Sequence, residues 1–300
     1  MNKFYYLLVL LAAAFSLASC SNDDGGGSQG GGRNANRNVP VDGETAVTRL
    51  EFPRLKGGNS IVRVYRTADD YKYDADRVNF AVEWDCDKKS QRWSCYQMHS
   101  GYSGQYSRVV DGYLEDTRID AADRWDRDYI YGSGFQHGHI CPNADRKYSR
   151  EANKQTFYMT NMQPQYGNFN GYSGSNEGLW LRLENKVRDW TPKNVNDTLY
   201  VCKGGTIDEE SQILTRIQGK MIVPKYFFMA LLLKSSFGYR AIGFYMEHKN
   251  EWATNDDLAG YAVSIDELED LTGIDFFCNL PDDTEEHVER KAYLVDWGLD

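Results

Sequence analysis

The chain has 300 residues, and 34 Lys and Arg stand against 44 Asp and Glu, for a net charge of −10. That balance excludes a protein that grips a polyanion by bulk positive charge, so any affinity for phosphate must come from a local basic cleft. With 21 Tyr, 7 Trp and 41% apolar residues, the composition also excludes a chain too polar to fold and provides for a sizeable core.

In chain order, Lys3 and the apolar stretch Tyr5 to Phe15 have the layout of an export signal. The stretch is shorter than the ~20 residues a bilayer-spanning helix needs, which predicts no transmembrane helix in the mature chain. Leu17-Ala-Ser-Cys20 resembles a bacterial lipobox, in which the cysteine becomes the lipidated N-terminus. The competing reading is an ordinary secretory peptide with Cys20 incidental. The expectation is a signal peptide over 1–19, a flexible tether rich in Gly, Asn and Ser over 20–43, and one domain over 44–300. The product is then an outer-membrane or cell-surface lipoprotein, anchored to the membrane rather than spanning it, and otherwise periplasmic or secreted. Oligomeric state is not legible.

Val78 to Trp84 reads as a strand. Cys86 and Cys95 are close enough to staple a hairpin, and the odd set that remains without Cys20 allows at most two disulfides. Tyr166 to Ser175 reads as a polar loop, residues 176–190 as a helix, and Leu199 to Gly205 as a strand running into a turn. The apolar runs Tyr226 to Leu233 and Tyr239 to Tyr245 form a hairpin. Ser264-Ile-Asp-Glu267 has the spacing of a capping box at the head of another helix. Together these predict an α+β fold with a central, mainly antiparallel sheet flanked by helices.

On a helix over 176–190, Asn176, Trp180 and Glu184 stand at i, i+4 and i+8 and share a face. An amide oxygen and a carboxylate are hard ligands that suit magnesium, which keeps most of its own water. Trp180 reads as core packing. Asn176 has an alternative as a helix N-cap, and Glu184 as a surface partner of Arg188. His139 follows Gly138, whose bare backbone would let a phosphate approach, and a neutral imidazole can take a proton from water. Its alternative is a hydrogen-bonded structural histidine.

Several blocks resemble one family in order and spacing. They are Gly138-His139-Ile-Cys-Pro142-Asn-Ala144-Asp145-Arg146, Thr160-Asn161-Met162-Gln-Pro164-Gln165, Asn176-x-x-x-Trp180-x-x-x-Glu184, Ile222-Val-Pro224, and Val263 to Gly273 followed by Leu280-Pro281-Asp282. Over roughly residues 60–290 the chain is similar to the DNA/RNA non-specific endonucleases, the ββα-metal (His-Me finger) nucleases. The resemblance implies hydrolysis of DNA and RNA to 5′-phosphate ends with Mg²⁺, Mn²⁺ also serving. It implies His139 as general base, Asn176 as metal ligand, Glu184 as holder of a water, and an upstream arginine, which Arg108 matches loosely and for which Arg118 competes. His137, Asn161 and Arg188 are the expected substrate-side residues, Asn161 as a support of the loop that carries the site. The chain departs from the family at Gln136-His137, which replace Asp-Arg.

That departure sustains a rival reading, a weakened or inactive nuclease fold that binds nucleic acid or another partner. A third reading takes His137-x-His139-x-Cys141 as three ligands of a zinc ion on one strand face. For the anchor, Cys20→Ser is expected to abolish incorporation of labelled fatty acid and release the protein from the membrane fraction; unchanged labelling contradicts the lipobox.

Overall fold

The computed structural model describes residues 33–68, 75–100, 104–253 and 258–300. The expected signal peptide and Cys20 lie outside the described residues. Strands β1 (Ser60–Arg66), β2 (Val78–Asp85) and β3 (Ser90–Met98) run as an antiparallel meander. The chain then leaves the sheet through β4 (Gln136–His139), α1 (Arg150–Gln155), β5 (Met162–Gln165) and α2 (Gly167–Asn170). Two-residue strands β6 (Tyr172–Ser173) and β7 (Asn176–Glu177) precede α3 (Leu179–Asp189). It returns beside β3 as β8 (Thr198–Gly205). A separate ribbon of β9 (Ile213–Ile217) and β10 (Met221–Pro224) leads to β11 (Tyr226–Ser235), β12 (Gly238–Glu247) and β13 (Ala262–Val263). Helices α4 (Ile265–Thr272) and α5 (Asp282–Glu289) follow. The seven-stranded sheet has the order β1-β2-β3-β8-β11-β12-β13, antiparallel throughout.

Strand parity explains why the central strands read as unbroken apolar runs. On β11, Phe227, Met229, Leu231 and Leu233 join a core that includes Trp180, Leu183 and Val187 of α3. Phe228, Ala230 and Leu232 join a second core with Ile265 and Leu268 of α4 and Val288 of α5. A strand covered on both faces has no polar side to alternate with. The same parity on β8 sends Leu199 and Val201 to the α3 face and Tyr200 and Cys202 to the α4–α5 face.

The α+β architecture and the expected strands appear in place, as does the hairpin of β11 and β12. Ser264 caps α4, its Oγ accepting the Glu267 N–H at 3.1 Å, and Gly273 ends the helix at φ 68°. Other expectations are corrected. The helix over 176–190 begins only at Leu179, because Gly178 is its cap and Asn176 pairs with Ser173 in the hairpin. The expected loop Tyr166 to Ser175 contains α2 and β6. Cys86, Cys95, Cys141, Cys202 and Cys278 are all free, buried thiols. Cys95 lies mid-strand opposite Ala81 and Cys202, whereas Cys86 packs with Trp84 and Ile119, so no staple forms. Residues 33–43 are not a free tether: Asn38 is buried, its Nδ2 donating to Val47 O and Pro53 O, and Asn34 donates to Leu280 O.

Leu231 is fully buried at the centre of the sheet. Leu231→Ala is expected to cost about 2–5 kcal/mol, read as a lower urea midpoint at unchanged slope; a shift below ~1 kcal/mol contradicts this packing.

Candidate active site

His139 ends β4 opposite Met162 of β5. It is half-buried, with the Phe157 ring edge-on at 5.0 Å between centroids and Tyr113 tilted at 6.1 Å. Its Nε2 is sealed from solvent without a partner, so the open side of the ring is the one bearing Nδ1. Burial first, then the charges of Arg108, His137 and Lys203, pushes the imidazole down to about 3. The ring is therefore neutral through the physiological range.

Gly138 is required by contact. A Cβ there would lie 2.2 Å from Cδ of Gln165, which is fully buried against it and whose Oε1 and Nε2 have no partner. Gln163, on the same strand, accepts the Gly205 N–H at 2.7 Å and so ties β5 to β8.

Lys203 was not singled out by sequence reasoning. Parity puts it on the α3 face of β8, fully buried, with Nζ 2.6 Å from Oε1 of Glu184 and 4.5 Å above the Trp180 ring. The available signal was one charge in the apolar run Leu199-Tyr-Val-Cys202. Glu184 is thus held by Lys203, not by Arg188, which bonds Asp145 at 2.8 Å. Burial raises the Glu184 carboxyl pKa, while Lys203 and Arg188 pull it back.

The upstream arginines separate cleanly. Arg118 is committed to Asp116 at 2.8 Å and lies 3.9 Å from the Tyr65 ring centroid. Arg108 is exposed at φ 46°, beside the Phe157 ring at 5.6 Å, and its charge reaches His139. Asn176 is exposed on β7 and does not share a helical face with Glu184, which corrects the expected spacing. It is not the helix cap either: Gly178 holds that place, its N–H bonded to Gly171 O at 2.7 Å, and a Cβ on it would meet Phe169 O at 2.2 Å.

Asn161 takes the loop-supporting place expected of it, and the substrate-side expectation for His137 is corrected. Asn161 is fully buried, donating to Cys141 O and Thr156 O at 2.8 Å and accepting the Cys141 N–H, so it braces the loop after β4. His137 is 5% exposed, stacked on Tyr113 at 3.8 Å with Nε2 3.2 Å from Arg127 O, and supports β4 from below. Arg188, a quarter exposed, keeps an edge toward solvent while paired to Asp145. The zinc reading fails on the same facts: Cys141 is fully buried with its thiol pushed up to about 12 by burial, and His137 is turned to Arg127.

The oxygens that could serve a metal are the exposed amide of Asn176, the orphaned Oε1 of Gln165 and the Glu184 carboxylate. This hard, sparsely charged set fits a divalent ion that keeps most of its water. Gly138→Ala is expected to destabilise by about 1–3 kcal/mol through overpacking, and adding Gln165→Ala should restore part of the loss. A melting temperature unmoved by Gly138→Ala contradicts the contact.

With this geometry in hand, comparisons place the chain. The family model for DNA/RNA non-specific endonuclease matches residues 58–283. A nuclease of Nostoc sp. is 30% identical over 223 residues, covering 71% of this chain and 76% of that protein. Mitochondrial endonuclease G of Bos taurus is 26% identical over 213 residues, covering 68% and 69%. Among solved structures, the EndoG/EndoGI complex contains a chain that matches with a TM-score of 0.56 at 18% identity, covering 67% of this chain and 84% of that one, a likeness of fold. The chain belongs to the DNA/RNA non-specific endonuclease family.

Proposed function

We propose that this protein is a divalent-metal-dependent endonuclease that hydrolyses phosphodiester bonds of both DNA and RNA. The observation that carries this reading is a neutral His139 set among the cations of Arg108 and Lys203. A phosphodiester brings negative charge into such a pocket, and a neutral imidazole is the form that can act as base. His139 takes the proton of the attacking water at Nδ1. Arg108, exposed beside it and without a carboxylate partner among the ion pairs of the described residues, meets the charge that develops on the phosphate oxygens. Lys203 holds Glu184 in one position, from which the carboxylate orients water.

Asn176 would hold Mg²⁺, with Mn²⁺ also serving, and Glu184 would hold one of the ion's waters. An ion held there would supply Lewis-acid stabilisation of the negative charge that develops on the phosphate and its leaving group. Recognition rests on backbone phosphate and sugar, so base sequence goes unread. The export signal and Cys20 complete the proposal as a lipid-anchored nuclease facing outward.

One observation favours the rival, a weakened enzyme or non-catalytic binder: His137 is buried against Tyr113, so no cation stands at the position where the family has arginine. Digestion of plasmid and RNA with Mg²⁺ and with EDTA, beside His139→Ala, separates the two. The expected result is metal-dependent cleavage of both substrates that falls at least ~100-fold in His139→Ala. Nucleic-acid binding without cleavage, or equal cleavage by the variant, selects the rival. Lys203→Met leaves Glu184 buried and unpaired, so a stability loss of about 3–5 kcal/mol is expected on urea unfolding. Full stability in that variant would contradict the pair.

A further inference from the structure

We propose that Asp266, Glu269 and Glu289 form a calcium site that clamps α4 to α5, on the face of the sheet opposite α3. One carboxylate oxygen from each lies within 4.8 Å of the others. Ca²⁺ takes roughly six to eight oxygens in flexible geometry and accepts several carboxylates directly, whereas Mg²⁺ keeps several waters and takes one or two carboxylates, so three protein carboxylates in reach of one another are a ligand set for the larger ion.

Sequence position explains the convergence. Asp266 and Glu269 are three apart on α4 and project from adjacent turns of one side. Glu289 closes α5, where the last carbonyls lack helical partners and the dipole is negative. A carboxylate at that end is unfavourable unless a cation accompanies it.

Two buried oxygens at this corner lack any donor. Glu289 is 95% buried (5% exposed) and its Oε1 has no partner. Asn36 Oδ1 is also sealed and unpartnered, its Nδ2 spent on Asp275 at 3.1 Å and Glu285 at 2.9 Å. The charges that bear on Glu289 are those of Glu269, Glu285, Asp275 and Asp266, all carboxylates. Arg54 acts on Asp275 at the edge of the group, but among the described residues no Lys or Arg pairs with Asp266, Glu269 or Glu289. A buried carboxylate oxygen without a donor is costly, and a calcium ion would satisfy Glu289, with the exposed Asp266 and with Glu269, whose Oε1 accepts the Phe276 N–H at 2.7 Å, as its other ligands.

This site does not depend on the nuclease reading. The test uses the full chain, stripped with EDTA and dialysed, then titrated with calcium chloride by calorimetry and by thermal melting. Wild type and Asn176→Ala are expected to bind calcium and to melt several degrees higher with it. Asp266→Asn/Glu269→Gln should lose both signals while still folding, since Asp266 is exposed and Glu269 only partly buried. Glu289→Gln should melt above wild type in calcium-free buffer and gain nothing from calcium. No calcium response in wild type, a response retained in the double variant, or one abolished by Asn176→Ala would each overturn the proposal.

Discussion

The buried ion pair of Lys203 and Glu184 joins sheet to helix at the point where the chemistry is assembled. A lysine with no exposed surface is tolerable only if its ammonium is paired, and removing either partner strands a charge. The pair fixes α3 against β8 while Trp180 covers the ammonium from the other side. Glu184 is consequently a pinned group, and Lys203 adds positive potential beside a histidine whose proton affinity burial has already lowered. Stability and function draw on one contact.

The strands that present His139 are held by a second set of constraints. Gln165 fills the space that Gly138 leaves, and Gln163 ties β5 to β8 through the Gly205 N–H. Asn161 fastens the chain after β4 through both ends of its amide. These buried amides lock the short β4–β5 pair, which has little apolar surface of its own, onto the main sheet.

Much of the architecture was legible because local rules governed it. The β11–β12 hairpin, the Ser264 cap and the α3 core face follow from apolar runs, a cap residue and helical spacing. The site was legible as a set of motifs but not as a geometry. Asn176, Trp180 and Glu184 have helical spacing, yet the close approach of Gly178 to Phe169 O stops the helix at Leu179, a tertiary constraint that periodicity cannot register. The pairing of Arg188 with Asp145 rather than Glu184, and the burial of His137 and Asn161, likewise depend on contacts between segments far apart in sequence. Lys203 was visible only as one charge in an apolar strand, and its meaning came from what α3 placed opposite it.

The pH dependence of kcat/KM for cleavage of a defined duplex, at saturating Mg²⁺, bears most directly on the neutral, cation-flanked base. The imidazole is held down to about 3, so the limb of activity lost on acidification should lie well below the ordinary histidine value of about 6.5. A limb at or above 6.5 that persists in the wild type would contradict a His139 buried among Arg108 and Lys203.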